Sequence, residues 1–554
     1  MKLKIHNNYF MVFCTLYLLG NGIILFNQGI YWDDWTVFNA SKDALLQQFW
    51  GNGSPHWAYL HWYLQKFSNP KLIYNILTFF LQIGSIFLLF QIVKNLNLKN
   101  ELFYLVILFS GIIPYFSAKN TMICFIYTSS YFLFILGCYF MLMPNTKYKF
   151  IKRLLSIIFL VLSFSTESFL VFFTIPFVIY AINNKIIILR EKNLSFKSLK
   201  NISINLKKDI YFYIYLILPF LTFVLKLIYF PTTNLHARFG YNEITLEGLL
   251  LTPENLLKSF LLSFIGLFNE FYDSIFNGTK SNFLLLVFLF FMTLFVVVTL
   301  NSFNINKFVL SITKPFRYFL LSFSVFMLAA LPYCIIGKVP QFGAYYTRHQ
   351  LLLPIGSAML LLGIIYLLSG NKKIKQKVWV LIFTSLCVAT TFVKNLEYIS
   401  GGLKNEALIM KMKNDELFMN NTTFLVFDKA IELNATSRGN CFYAFNGMAK
   451  MAFGNENRLI CDVNEYLGYL YHDRHNWSMW LSGAEMLNMK DYDFEKPRHL
   501  IVLDSEVKKL STTLQTLFYK FFANEEYKEQ LKKYVEMKVV EINFDEIELL
   551  LEDK

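Results

Sequence analysis

The sequence predicts a mostly α-helical protein: a polytopic transmembrane bundle of about eleven spans, followed by a small soluble domain of α/β or α+β type. Three observations predict it. Apolar residues make up 55% of the 554, and they come in unbroken blocks long enough to cross roughly 30 Å of hydrocarbon rather than at amphipathic spacing. Lysines and arginines gather in the short intervals between those blocks. Beyond about residue 396 the charges spread evenly and the apolar runs shrink to strand length.

The mean hydropathy of +0.42 exceeds what a soluble core requires. The formal charge of +14 belongs to the loops, where it sets orientation, so a nucleic-acid partner is excluded. The 60 Phe and 33 Tyr lower the weight of any single aromatic residue. The first block, residues 9–30, is too long for the apolar core of a signal peptide and lacks a small-residue cleavage site, so it reads as a retained helix.

Further spans are expected over 72–93, 101–117, 121–143, 209–230, 282–301, 316–336, 350–369 and 378–394. The block 154–182 has basic residues on both flanks, so it crosses twice as a short hairpin turning near "FSTESF", 164–169. This topology puts the amino terminus in the cytoplasm and the carboxyl-terminal domain outside, in a bacterial inner or plasma membrane. Residues 256–276 carry Lys258, Glu270 and Asp273, and are expected to lie along the outer surface as an amphipathic or re-entrant helix. The chain divides into a membrane domain, 1–395, and a soluble domain, 396–554. Strands are expected at 424–427, 499–503 and 535–542. Cys441 and Cys461, the two cysteines of that domain, could pair in an oxidising compartment.

The polar exceptions fall on the outer side. The first outer loop, 31–71, opens with "YWDDWTVF" and holds Asp33, Asp34, Asp43, His56 and His61, with five of the eight tryptophans. Adjacent carboxylates repel and need water or a partner, while tryptophan favours the headgroup boundary, so the loop should form interfacial helices. Glu167 stands at the hairpin turn, where an ionisable group at membrane depth suggests a wet cavity, or simply caps the turn. Arg348 and His349, in "GKVPQFGAYYTRHQLLLPIG", are expected at the start of a helix, where an anion is favoured. A guanidinium there suits a phosphate; the alternative is that it snorkels to headgroups. Lys226, Lys338, His236 and Arg238 could line the same vestibule. Carboxylates and cations at one membrane face suit a reaction on a lipid-linked phosphate ester, with an aspartate accepting the proton of an incoming hydroxyl.

An acidic pair just after helix one, an apolar hairpin turning at "STES", a later "TRHQLLLP" entering a helix and a terminal outer domain together resemble the GT-C superfamily of integral membrane glycosyltransferases. The resemblance covers about residues 1–395. It implies transfer of a sugar from a polyprenyl-phosphate donor to a glycan, lipid or protein acceptor, with inversion, in a membrane-lipid setting. It further implies Asp33 or Asp34 as catalytic base, Glu167 as the second acidic position, and Arg348 at the donor phosphate with His349, Lys338 and Arg238. His56, His61, Tyr345 and Tyr346 are left as acceptor or loop candidates. A cofactor is open: Mg2+ or Mn2+ would be held by Asp34 and Glu167, and many donors of this kind need no metal. "DDW" replaces the Asp-Glu of several branches, and "WSMW" (477–480) does not match Trp-Trp-Asp, so the branch and sugar stay open. Two other readings are an O-antigen or capsule polymerase and a transporter or flippase of lipid-linked sugars. The soluble tail and acidic pair count against the first; that most spans are free of charge from end to end counts against the second.

Overall fold

The computed structural model describes residues 2–96, 98, 101–143, 148–184, 186–189, 202–204, 209–231, 243–277, 283–302, 310, 312, 314–454, 458–463 and 498–542. Among the described residues seven helical segments, against the eleven spans expected, are long and apolar enough to cross a membrane: Asn7–Phe26, Pro70–Asn95, Phe125–Leu142, Ile210–Tyr229, Phe283–Ser302, Pro315–Cys334 and Lys373–Lys413. Three shorter apolar ones, Glu101–Ile112, Ser168–Asn183 and Pro354–Ser369, lie between them. The chain is thus a helical membrane protein with a small sheet at its carboxyl end.

Helix α1 (Lys2–Asn21) runs into a 3-10 turn, Gly22–Phe26. The expected first loop is three short helices, α2 (Asp34–Val37), α3 (Lys42–Gly51) and α4 (His56–Leu64). Ser41 caps α3 by accepting from the Ala44 N–H. Two of the tryptophans expected at headgroups, Trp35 and Trp57, are core residues instead. Helix α5 (Pro70–Asn95) starts sharply because Asn69 accepts from the Leu72 N–H and Pro70 has no N–H to leave unpaired. Helices α6 (Glu101–Ile112) and α7 (Phe125–Leu142) follow.

The hairpin forms as α8 (Lys149–Ser163) returning through α9 (Ser168–Phe172) and α10 (Thr174–Asn183), with the turn at 164–167. Gly137 lets α8 approach α7: a Cβ there would lie 2.8 Å from Leu160 Cγ, and Ser156 Oγ donates to the Gly137 carbonyl at 2.8 Å. Strands β1 (Ile187–Leu189) and β2 (Ile202–Ile204) pair antiparallel ahead of α11 (Ile210–Tyr229).

Residues 246–277 are continuously helical: α12 (Leu246–Ser259), a π-helical stretch, α13 (Gly266–Tyr272) and a second π turn. After α14 (Phe283–Ser302) and α15 (Pro315–Cys334), the reason for its course is visible. Asn255 donates to the Cys334 carbonyl and Ser263 to the Pro340 carbonyl, so this helix packs across the end of α15 that faces the Asp33 loop.

Helix α16 (Pro354–Ser369) leads to α17 (Lys373–Lys413), whose 41 residues span about 60 Å. The change of composition near residue 396 falls inside α17, whose second half carries the sheet domain. Strand order there is β4-β3-β5-β6, with β3 (Thr423–Asp428) parallel to β4 (Leu459–Asp462) and β5 (His499–Asp504), and β6 (Glu536–Glu541) antiparallel to β5. Helix α18 (Phe442–Phe453) crosses from β3 to β4, and α19 (Lys509–Phe522) with α20 (Asn524–Tyr534) joins β5 to β6. Lys404 of α17 is buried and bonds Asp428, the Ala430 carbonyl and Asn434 Oδ1, which clamps the sheet to the long helix. Cys441 lies before α18 and Cys461 is buried on β4, and no disulfide joins them, so the pairing considered from sequence does not form.

Candidate functional site

Between the 3-10 turn and α2 the backbone has no regular partners, and at membrane depth its polar groups must be satisfied by side chains. Asparagines do this. Asn27 Oδ1 accepts from the Gly29 N–H and from Tyr31 Oη, Asn75 Nδ2 donates to the Asn27 carbonyl, and Asn405 Nδ2 donates to the Ile30 carbonyl. Asn27 also reaches Asn120, which reaches Asn395 of α17. The segment before the aspartates is therefore fixed to α5, α17 and the 117–124 turn.

The two aspartates face different surroundings. Asp34 is fully buried. Its Oδ1 accepts from the Ile123 N–H at 2.8 Å, its Oδ2 accepts from the Tyr31 N–H at 3.2 Å, and Lys71 Nζ stands 3.9 Å away. Burial pushes this carboxyl up, and the Lys71 ammonium and the backbone donors pull it back. Asp33 is only half-buried. Its Oδ1 accepts from Tyr443 Oη at 2.9 Å, so the terminal domain reaches into the loop. Burial raises the Asp33 carboxyl to about 6; the Tyr443 hydroxyl and the charge of Arg348 lower it, Asp34 raises it, and Arg438 lowers it.

Arg348 lies 4.7 Å from the centre of the Trp32 ring, and that ring stacks on Tyr345 at 4.5 Å with an 8° interplanar angle. Both stacking partners depend on unusual backbone, since Trp32 has φ +48° and Ala344, next to Tyr345, has φ +40°. Thr347 accepts from the Ala118 N–H, tying the Arg348 turn to the 117–124 turn. Arg348 itself was expected at a helix start. It sits in a 3-10 turn, Tyr346–Gln350, while α16 begins at Pro354, so no helix N-terminus contributes to an anion site there.

His349 is buried, its Nδ1 has no hydrogen-bond partner, and its ring lies 5.0 Å from Tyr333. Burial, then the charges of Arg348 and Lys338, hold it neutral, down at about 2. Lys338 is thus near His349. Tyr346 is exposed, and its ring is 6.2 Å from His349. Tyr333 Oη donates to Ser168, which follows Glu167 directly. Glu167 pairs with Lys226 at 2.7 Å, and Lys226 also donates to the Ser165 carbonyl. His56 feels the Lys226 charge, and a Cβ on Gly53 would lie 3.0 Å from Lys226 Cε. Glu167, Lys226 and His56 therefore form a second polar group, joined to the Arg348 side through Ser168, Tyr333 and His349.

His61 is a core histidine: it is buried, Nδ1 lies 2.5 Å from Tyr74 Oη, and the ring stacks on Phe49. Asp43 lies in the first turn of α3, where a carboxylate is favoured by the helix dipole. Arg238 and His236 lie outside the described residues.

The carboxylates do not fit a metal. Asp34 is committed to an ammonium and two N–H donors, Glu167 to Lys226, and Asp33 to a phenol. Among the described residues no three His, Cys, Asp or Glu side chains converge to hold an ion. Asp34 and Glu167, the residues considered from sequence for Mg2+ or Mn2+, each face a lysine ammonium instead.

Sequence reasoning missed Tyr443, Arg438 and Lys71. Tyr443 and Arg438 lie some 400 residues from Asp33 in a region of ordinary composition, and no local pattern marks them. Lys71 follows Pro70 at the mouth of α5, and a lysine just inside an apolar span was a usable signal. No known family model and no curated protein matches this chain in sequence.

Proposed function

We propose that this protein is a GT-C-like membrane glycosyltransferase that moves a sugar from a polyprenyl-phosphate donor to a hydroxyl acceptor. The observation that carries the reading is Asp33. It is a half-buried carboxyl poised at about 6, beside Arg348 and Arg438, at the junction of bundle and terminal domain. A base works best with a pKa near the operating pH.

In this reading Asp33 takes the proton of the acceptor hydroxyl as its oxygen attacks the anomeric carbon. The bond from that carbon to the phosphate oxygen breaks, and the electron pair leaves with the phosphate. Arg348 stabilises the charge gathering there, with Arg438 as a second guanidinium. The flat Trp32 and Tyr345 pair offers an apolar face to a sugar ring. Asp34 is the positioning residue, because its carboxylate holds the loop and is closed to solvent.

The test is transfer from a panel of polyprenyl-phosphate sugars by purified protein in nanodiscs. Asp33→Asn should lose about 100-fold or more in rate while melting no lower than the native protein. Full transfer by Asp33→Asn would reject the assignment.

A further inference from the structure

Helix α19 is two-faced in a way that the sheet domain does not explain. One side is packed: Thr513, Thr516 and Leu517 are buried, and Lys520 pairs with Glu406 of α17 at 3.1 Å. The other side presents Phe518, Phe521 and Phe522 at 59%, 52% and 75% exposure. These positions, spaced i, i+3 and i+4, form one stripe. Phe518 and Phe522 touch each other at 4.9 Å between ring centres. Three adjoining exposed phenylalanines are costly in water.

The stripe is continuous with the membrane part. The Phe521 ring meets Phe26 edge-on at 4.9 Å, and Phe26 ends the first membrane-crossing segment. Phe26 is itself 48% exposed. Helix α19 also packs against α14, a helix long and apolar enough to cross a membrane, on which Phe283 and Leu284 are exposed. The exposed phenylalanines of α19 thus adjoin the end of the first membrane-crossing segment, on a helix that also packs against α14.

We propose that α19 is an interfacial helix. Phe518, Phe521 and Phe522 dip into the acyl boundary of the bilayer beside Phe26 and hold the sheet domain down on the membrane. The occupant is the lipid bilayer itself, since Phe521 meets Phe26, the exposed end of a segment long and apolar enough to cross a membrane. The anchor sets the height of α18, and hence of Tyr443, over the aspartate loop. This inference does not depend on the chemistry proposed for Asp33.

The test uses full-length protein in phospholipid nanodiscs, with p-benzoylphenylalanine replacing Phe518 or Phe522 in separate variants and Phe290 of α14, a lipid-exposed position, as reference. The replacement keeps an aromatic side chain at an exposed site, so folding is spared. After irradiation, intact-mass measurement should find one-phospholipid adducts at 518 and 522 with at least about a third of the yield at 290. Adduct yields below that fraction at both positions would overturn the proposal.

Discussion

Tyr443 of the terminal domain donates a hydrogen bond to Asp33 Oδ1 at 2.9 Å across 410 residues of chain. It joins the two halves of the molecule at a half-buried carboxyl that is strongly shifted. Tyr443→Phe removes the strongest of the influences that lower the Asp33 carboxyl. The acidic limb of the pH–rate profile should therefore move to higher pH, with the rate at high pH reduced less than at pH 6. Profiles of transfer rate between pH 5 and 8 check this.

In the wild-type protein the base must be ionised, so the rate should fall as pH drops through about 6. Stability has the opposite sense. The folded carboxyl sits above its ordinary 3.8, so the folded state holds the proton more tightly than the unfolded state. Its contribution is therefore fully present below about 3.8 and is lost as pH rises through about 6. Asp33→Asn should raise stability at pH 7.5 by on the order of 1–3 kcal/mol, read by thermal unfolding in detergent.

Asp34 should behave differently. Removing one partner of a buried pair leaves an uncompensated charge, so Asp34→Ala should cost about 3–5 kcal/mol and lower the yield of folded protein. Lys71→Met in the same background should recover part of that loss. A double-mutant cycle on melting temperature measures the coupling, and an additive result would remove the pair from the account.

The close seat of α18 on the aspartate loop depends on Gly447, where a Cβ would lie 2.3 Å from Trp35. Gly447→Ala should displace the helix at a cost of about 1–3 kcal/mol. Because Tyr443 lies one turn earlier on the same helix, the acidic limb should shift in the same direction as in Tyr443→Phe. Limited proteolysis of the terminal domain, run beside the pH profile, checks both effects.

The long apolar helices were legible because apolar block length is a local property. The hairpin at 154–182 followed from its basic flanks, and its turn lies at 164–167. The 256–276 segment showed its difference through three charges, and Glu270 pairs with Lys394 at 2.7 Å. The start of α16 was misplaced because an apolar run does not reveal that a 3-10 turn precedes Pro354. The tryptophans of the first loop were assigned to headgroups by residue type, whereas burial of Trp35 and Trp57 depends on packing partners far away in the chain.

By itself, the sequence determined that this chain carries several helices long and apolar enough to cross a membrane, that a small sheet domain follows them, and that an acidic pair follows its first helix. Hydrophobic transfer and charge placement act residue by residue, so the order of residues is enough to express them. Only the tertiary structure decided what surrounds each aspartate. Lys71 and the Ile123 N–H close around Asp34, while Tyr443 and Arg348 meet Asp33. A carboxyl takes its character from burial and from the charges and donors within a few ångströms, and those neighbours come from distant parts of the chain.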